Sequence, residues 1–415
     1  MNNPKIIFIL PNIYESVNGV SLKYINFIDF LKKSSYNFVL FTTFKDNESY
    51  NKIINTQHIK IIKTNGINIP FYKEIKIPIL NKNILNNEIT NGNEIIVFNG
   101  EFIWIYNILK KLKSKYNNIK LYPTMHTDYI FYNNFFYKKY NIESIFNFLN
   151  NYLENKTFNG IIVTGEKMKE KYKIFTNSVF NANEVNLDIF NTHKVDEYSD
   201  NFYNIIYCGR ISKEKNVDDF FNCCNQLKDT FQFNIHIIGD GPYLNNLKTI
   251  IQLEYKDIYN KITFYGNKNQ EEINNIYQTL DNRIFLFTSI SETFGKTPME
   301  AGTTGIPIFI KKSEIIDLLY INKKNAFIFN ENKDFLELFK YFVDLNIYDK
   351  KIFIDNSIEN IKKYDQKIIF ENWIYFLLNG IDNKYNKTLK IGFFDILTFH
   401  GLSKLINCTG NVIGD

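Results

Sequence analysis

Cysteine, one-sided charge and long apolar runs are what this chain has least of. Its 415 residues hold four cysteines, Cys208, Cys223, Cys224 and Cys408. They form no CxxC motif and none stands at metal-ligand spacing from a histidine, which argues against a zinc ribbon or a disulfide scaffold. Reduced, buried thiols are the expectation. The formal net charge of +5 is too mild a basic excess for a nucleic-acid partner. No apolar stretch reaches the length of a membrane-spanning helix. The opening Met-Asn-Asn-Pro-Lys-Ile-Ile-Phe-Ile-Leu has too short an apolar run for a signal peptide and reads as a buried first strand. Repeats of solenoid period are missing too. Alanine and proline are few, while Phe (39) and Tyr (28) are many. That bias blurs pattern reading, because Asn falls inside strands and helices alike.

What remains describes a soluble globular protein, 45% hydrophobic and 22% charged, too long for one core and so expected to form two domains. Strand-like and helix-like segments alternate, as parallel α/β architecture requires. In the first half, Lys5–Leu10, Phe38–Thr42, Glu94–Asn99, Lys120–Pro123 and Gly160–Thr164 read as buried strands, with helices over Ser21–Lys33 and Phe102–Tyr116. In the second, Asn204–Gly209, Asn234–Gly239, Ile262–Tyr265 and Ile284–Thr288 are strands, and Val217–Leu227, Tyr243–Gln252 and Gln270–Leu280 helices. Polar, aperiodic Asn191–Asn201 reads as the linker. Late helices are expected at Lys333–Asn346, Lys350–Tyr364 and Gln366–Leu378.

The most informative run is Ser291-Glu-Thr-Phe-Gly-Lys-Thr-Pro-Met-Glu-Ala-Gly302, with the strand Ile284–Thr288 before it and Thr-Gly-Ile-Pro307 after. It reads as strand, tight loop through Gly295, then helix start, with Glu292 on the loop and Glu300 on the helix. A helix start offers unpaired amides and a positive dipole end, which suits a diphosphate. Glu292 and Glu300 could also be acids that merely solvate a surface. The spacing and the Phe294-Gly295 pair resemble the donor site of retaining glycosyltransferases of family 4, which have the GT-B fold. The resemblance covers about residues 4 to 378 and is most specific between Cys208 and Pro307.

It implies a set of roles. Gly209-Arg210 at a strand end, with Lys215 five residues on, would hold the diphosphate, since cations stabilise a leaving group that gains negative charge. Gly239-Asp240-Gly-Pro and Tyr265-Gly266 would line the donor site; the plain alternative for Asp240 is a β-to-α turn. Gly239-x-Gly241 lacks the third glycine of a dinucleotide fingerprint. Asn18-Gly19-Val20 would let backbone approach the phosphate. His126, at the exit of a central strand in Met-His-Thr-Asp-Tyr129, would position a sugar hydroxyl; His58, His193, His236 and His400 are set aside. Glu292 would hold the sugar, Glu300 the ribose, and amides near Phe294 and Gly295 would complete the grip. Lys296 departs from the family's aliphatic residue; it is either a solvated loop lysine or a third donor cation. Thr164-Gly-Glu166 and Val185-Asn186 match weaker positions, and Asn186 stands where the family has Asp.

The expected architecture is therefore two Rossmann-like domains facing across a cleft. Residues 1–190 form an acceptor domain, 202–365 a nucleotide-sugar domain, 366–380 a crossover helix returning to the first domain, and 381–415 a tail of unassigned role. The expected partners are a nucleoside-diphosphate-sugar, which fits the basic excess, and a lipid or glycan acceptor, with no cofactor. Asp-x-Asp, the metal-holding signature of the other large glycosyltransferase fold, occurs nowhere, so no metal is expected. The expected location is cytoplasmic. Lys110, Lys111, Lys113 and Lys115 on an amphipathic helix offer contact with an anionic membrane face, or else simply solvate a domain helix. A sugar-nucleotide epimerase on the same fold and an inactive relative stay open as alternatives. The epimerase would need acid and base carboxylates around the sugar, and a decayed site would not keep Arg210, Lys215, Glu292 and Glu300 together.

Overall fold

A computed structural model of the chain describes residues 4–14, 19–57, 59–69, 72–100, 103–126, 157–173, 176, 178–191, 196, 198, 202–290, 292, 294–313 and 319–380. Asn18, Thr127 to Tyr129 and the tail 381–415 lie outside them. The chain divides into two compact units, one of residues up to Asn183 with those from Phe370 onward, the other Glu184–Ile369.

In the first unit, β1 (Ile6–Ile9), β2 (Phe38–Thr42), β3 (Lys60–Lys63), β6 (Ile95–Asn99), β7 (Lys120–Met125), β8 (Ile161–Val163) and β9 (Val179–Asn181) form one sheet. The order is β3-β2-β1-β6-β7-β8-β9, and every pairing is parallel. Parallel strands are covered on both faces, so their sequences are apolar runs without alternation. Ile6-Ile-Phe-Ile9 is such a run and is wholly buried. An antiparallel hairpin of β4 (Gly66–Ile69) and β5 (Tyr72–Pro78) is an addition that the sequence reading did not foresee. From Phe370 the helix Gln366–Asn379 packs in this unit. Trp373 stacks on Phe27 with ring centroids 4.0 Å apart, and the Tyr122 hydroxyl donates to the carbonyls of Phe376 and Leu377.

The second unit has a six-stranded sheet of β10 (Phe202–Cys208), β11 (Gln232–Ile238), β12 (Ile262–Gly266), β13 (Arg283–Phe287), β14 (Ile308–Lys311) and β15 (Phe327–Phe329). The order β12-β11-β10-β13-β14-β15 is again all parallel. Chain direction across the sheet reverses between β10 and β13. In open α/β sheets ligands bind at that switch point, outside the carboxyl ends of the strands.

Of the expected linker, Asn191, Asp196 and Tyr198 are among the described residues. Asp196 and Tyr198 are buried in the second unit. Asp196 pairs with Arg283, and the Tyr198 hydroxyl donates to the Arg283 carbonyl at 3.0 Å. Polar residues are used here as partners for buried groups, and hydropathy alone does not reveal that use. Glu184 and Val185 also belong to this unit, where Val185 bridges Asp365.

Candidate donor site

The loops that leave β10 and β13 carry the motif residues, and the two strands are neighbours. The sheet therefore brings together side chains that lie far apart in sequence. Lys215 Nζ meets Glu292 Oε1 at 2.6 Å, with side chains 23% and 18% exposed. Both stay reachable from solvent, at the position where a switch-point ligand would sit. Arg210 is half-buried on the same β10 loop, and its carbonyl accepts from the Tyr207 hydroxyl at 2.8 Å.

The glycines of these loops have a steric reason. A Cβ on Gly239 would stand 2.0 Å from the Gly209 carbonyl oxygen, and one on Gly241 2.2 Å from that of Ile211. The loops after β10 and β11 lie backbone on backbone, tied by the Ile211 amide to the Asp240 carbonyl at 2.9 Å. Gly239 further has φ near +139°, which favours glycine. Gly241 was not singled out from sequence as a site position, yet it is needed here as much as Gly239. Asp240 is exposed, and its carboxylate accepts from the Gly241 amide at 2.6 Å, a local turn contact. Gly266 follows with open space where a side chain would be.

After β13, Gly295 takes the left-handed conformation (φ 75°) and starts the helix Lys296–Thr303. Gly295 has no side chain with which to cap the helix, so the amides of Lys296 and Thr297 receive no side-chain cap, and Pro298 has no N–H that needs one. Phe294 is buried edge-on against Tyr364, with centroids 5.2 Å apart, and anchors that loop. The helix packs closely: a Cβ on Gly302 would meet Ile308 and Ile361 below 3.0 Å.

Glu300 is 4% exposed, and its Oε1 accepts from Gln270 Nε2 at 2.7 Å. Burial pushes its carboxyl up to about 7; Lys296 and Gln270 oppose that rise and Glu184 adds to it. Lys296 is not on a loop. It opens the helix, and its ammonium contacts both carboxylate oxygens of buried Glu184, at 2.9 and 3.2 Å. Glu184 and Gln270 gave no sequence signal of this role: the first lies in an aperiodic stretch, the second behind the helix-capping residue Asn269.

In the first unit, Gly19 is exposed and opens the helix Gly19–Lys32 with open space around it. His126 follows β7 and is buried. Its Nε2 lies 3.1 Å from the Tyr24 hydroxyl and 3.0 Å from Thr124 Oγ1. Burial and nearby Lys23 hold its pKa well below the usual histidine value, so the ring is neutral at neutral pH. His236 is structural, placed between Asn204 and Tyr265 at 2.8 and 2.9 Å. On the helix Ile103–Lys115, Lys110, Lys111 and Lys115 are exposed, whereas Lys113 is half-buried and donates to the Ile119 carbonyl. Among the described residues there is no group of three His, Cys, Asp or Glu that could hold a metal, and no helix is long and apolar enough to cross a membrane.

Comparison with known proteins bears on the same region. Residues 188–362 match the model of glycosyl transferases group 1. The alpha-monoglucosyldiacylglycerol synthase of Acholeplasma laidlawii is 28% identical over 233 residues, 55% of this chain and 54% of that protein, so the chain spans about half the length of this relative. Among solved structures, a glycosyltransferase from Rickettsia africae superimposes with a TM-score of 0.70 at 18% identity, covering 92% of this chain and all of the other. Anabaena HepE in complex with UDP and glucose gives 0.66 at 14% identity, covering 91% of this chain and all of the other. At these identities the likeness shows the fold.

Proposed function

From a chain that has the GT-B fold, and whose residues 188–362 belong to the glycosyl transferases group 1, we propose a retaining, metal-independent transfer of a sugar from a nucleoside-diphosphate-sugar to a lipid or glycan acceptor. The observation that carries the proposal is the Lys215–Glu292 contact at the switch point of the second sheet. It sets a cation and a carboxylate side by side where a ligand is expected.

The roles follow from charge. Arg210, Lys215 and the first-turn amides after Gly295 meet the diphosphate, whose negative charge grows as the glycosyl bond breaks. Glu292 accepts hydrogen bonds from the sugar hydroxyls and Glu300 from the ribose. Gly209, Gly239 and Gly266 keep the loops low enough for the donor to approach backbone. His126, as a neutral ring, hydrogen-bonds a sugar hydroxyl and adds no charge. The relative named for glucosyldiacylglycerol synthesis supports a lipid acceptor, with Lys110, Lys111 and Lys115 meeting anionic headgroups.

The test is incubation of the protein with UDP- and GDP-sugars and lipid acceptors. Product with the donor's anomeric configuration is expected. Epimerised donor without transfer would favour an epimerase, and no turnover of any donor would sink the reading. Co-sedimentation with anionic and neutral vesicles checks the membrane contact; replacing Lys110, Lys111 and Lys115 by Gln should abolish the charge-dependent part.

A further inference from the structure

Glu184, Lys296 and Glu300 form a charge relay inside the second unit, and none of the roles above uses its first two members as a pair. Lys296 and Glu300 stand four residues apart on the helix Lys296–Thr303, so both project from one face of it. Glu184 comes from outside the helix and grips the Lys296 ammonium with both oxygens. Its side chain is 1% exposed and that of Lys296 19%. A carboxylate so deeply buried is costly without its cation, so the pair is held in place.

We propose that Glu184 and Lys296 act as positioning residues that set the charge of Glu300 and thereby the pH range over which the chain grips the ribose of its donor. This rests on the donor reading of Glu300 above. An ionised carboxylate accepts hydrogen bonds from two vicinal hydroxyls, whereas a protonated one has lost part of that capacity. Lys296 favours the ionised form and Glu184 disfavours it, by attraction and repulsion respectively. The other groups that face Glu300 are inert at neutral pH. Cys208 on β10 is pushed up to about 12, by burial and by Glu300, and burial raises Tyr277 well above the usual tyrosine value. Gln270 donates whatever the pH. Burial is the largest cause of the rise of Glu300 to about 7, Lys296 and the Gln270 hydrogen bond oppose it, and Glu184 adds to it.

The two members pull in opposite directions, and that opposition is the test. The ionisation of Glu300 can be followed by NMR on protein carrying ¹³C at the glutamate carboxyls, with the signal assigned through Glu300→Gln. Lys296→Met should raise the midpoint by about one pH unit or more, and Glu184→Gln should lower it. Lys296→Arg keeps the charge and should leave it near wild type. The neutral pair Glu184→Gln with Lys296→Met leaves neither member of that ion pair buried alone, so it covers the event that a single variant does not fold. Binding is then read as the affinity ratio of UDP to 2′-deoxy-UDP, and of GDP to 2′-deoxy-GDP, from pH 6 to 9, which cancels the titration of the phosphates. The ratio should rise with pH and its midpoint should track the NMR midpoint in every variant. Shifts in the same direction for both single variants, or none, overturn the relay. NMR midpoints that shift as expected, without any preference for the ribonucleotide, overturn its link to the donor and the ribose role of Glu300 together. Failure of both UDP and GDP to bind at any pH would sink the donor reading itself.

Discussion

Two ion pairs in the second unit share their chemistry and differ in exposure. Arg283 and Asp196 meet at 2.9 Å with side chains 0% and 1% exposed, while Lys215 and Glu292 meet at 2.6 Å and remain about a fifth exposed. The sealed pair is bonded from within. Asp196 Oδ2 accepts from both the Arg283 backbone amide and Nε, and Nη1 of Arg283 donates to the Tyr277 carbonyl. A ligand has no route to it. The other pair lies across two loop ends and can trade its partner for a diphosphate or a sugar hydroxyl. One pair therefore serves the fold, the other is proposed to serve the reaction, and water access separates the two.

The sharpest way to break this comparison is to remove the acid of each pair. Asp196→Ala leaves the Arg283 charge buried alone and should cost about 3–5 kcal/mol, a drop in Tm on the order of ten degrees for a unit of this size. Glu292→Ala, next to solvent, should cost about 1 kcal/mol or less. Calorimetry of both variants decides. Equal losses would mean that exposure is not what separates them.

Activity should invert the order. Lys215→Ala and Arg210→Ala should each lower turnover by about a hundredfold, the usual cost of one lost charge-stabilising donor, with Tm nearly unchanged. Binding of UDP should weaken more than binding of uridine, and likewise for GDP against guanosine. Equal weakening of nucleoside and nucleotide would remove the phosphate role from both residues.

The same contrast explains what could be read from sequence. Strands such as Ile6-Ile-Phe-Ile9 and the β13 core Ile284-Phe-Leu-Phe287 are apolar runs that only a doubly covered strand needs, so the parallel sheets were legible. So was the donor loop, because Gly295 and the two glutamates stand in one short run. The hairpin Gly66–Pro78 was hard to read because its alternation, Ile67-Asn-Ile69 and Ile75-Lys-Ile77, is only three residues long in each strand and Asn and Lys are common throughout the chain. The Asp196–Arg283 and Glu184–Lys296 pairs were also hidden. Both join residues about a hundred apart, 87 in one case and 112 in the other. Local spacing carries no trace of a partner that only the folded sheet brings near.

A smaller effect concerns pH. His236 lies within the β10–β11 pair and burial pushes it down to about 4, from an ordinary value near 6.5. Below 6.5 the unfolded chain takes up a proton that the folded one refuses, so stability falls as pH falls. At pH 5.5 the loss from this group is about 1.4 kcal/mol, and His126 adds to it in the same direction. His236→Gln should flatten the decline of Tm between pH 7 and 5.5. An unchanged slope would assign the decline to other groups.

The smallest expected effect is no effect at all. In the proposed roles, Arg210 and Lys215 face the diphosphate and supply the positive charge that a divalent ion would otherwise bring. Glu292 is engaged by Lys215 and so is poorly placed to bind a metal. EDTA should therefore leave turnover of the wild-type protein unchanged. Activity abolished by EDTA and restored by Mg²⁺ or Mn²⁺ would overturn the assignment of these cations. The variant Lys215→Ala sharpens the point, because it leaves the Glu292 carboxylate without its ammonium partner at a place where anionic ligand is proposed to bind. There Mg²⁺ can sit between carboxylate and diphosphate, and millimolar Mg²⁺ should restore part of the lost turnover. The same ion should do nothing for Asp196→Ala, whose vacated partner is a buried guanidinium that repels a cation and that water does not reach. Rescue of the solvent-reachable pair alone is what the difference in exposure requires, and rescue of both or of neither would mean that access is not what distinguishes them.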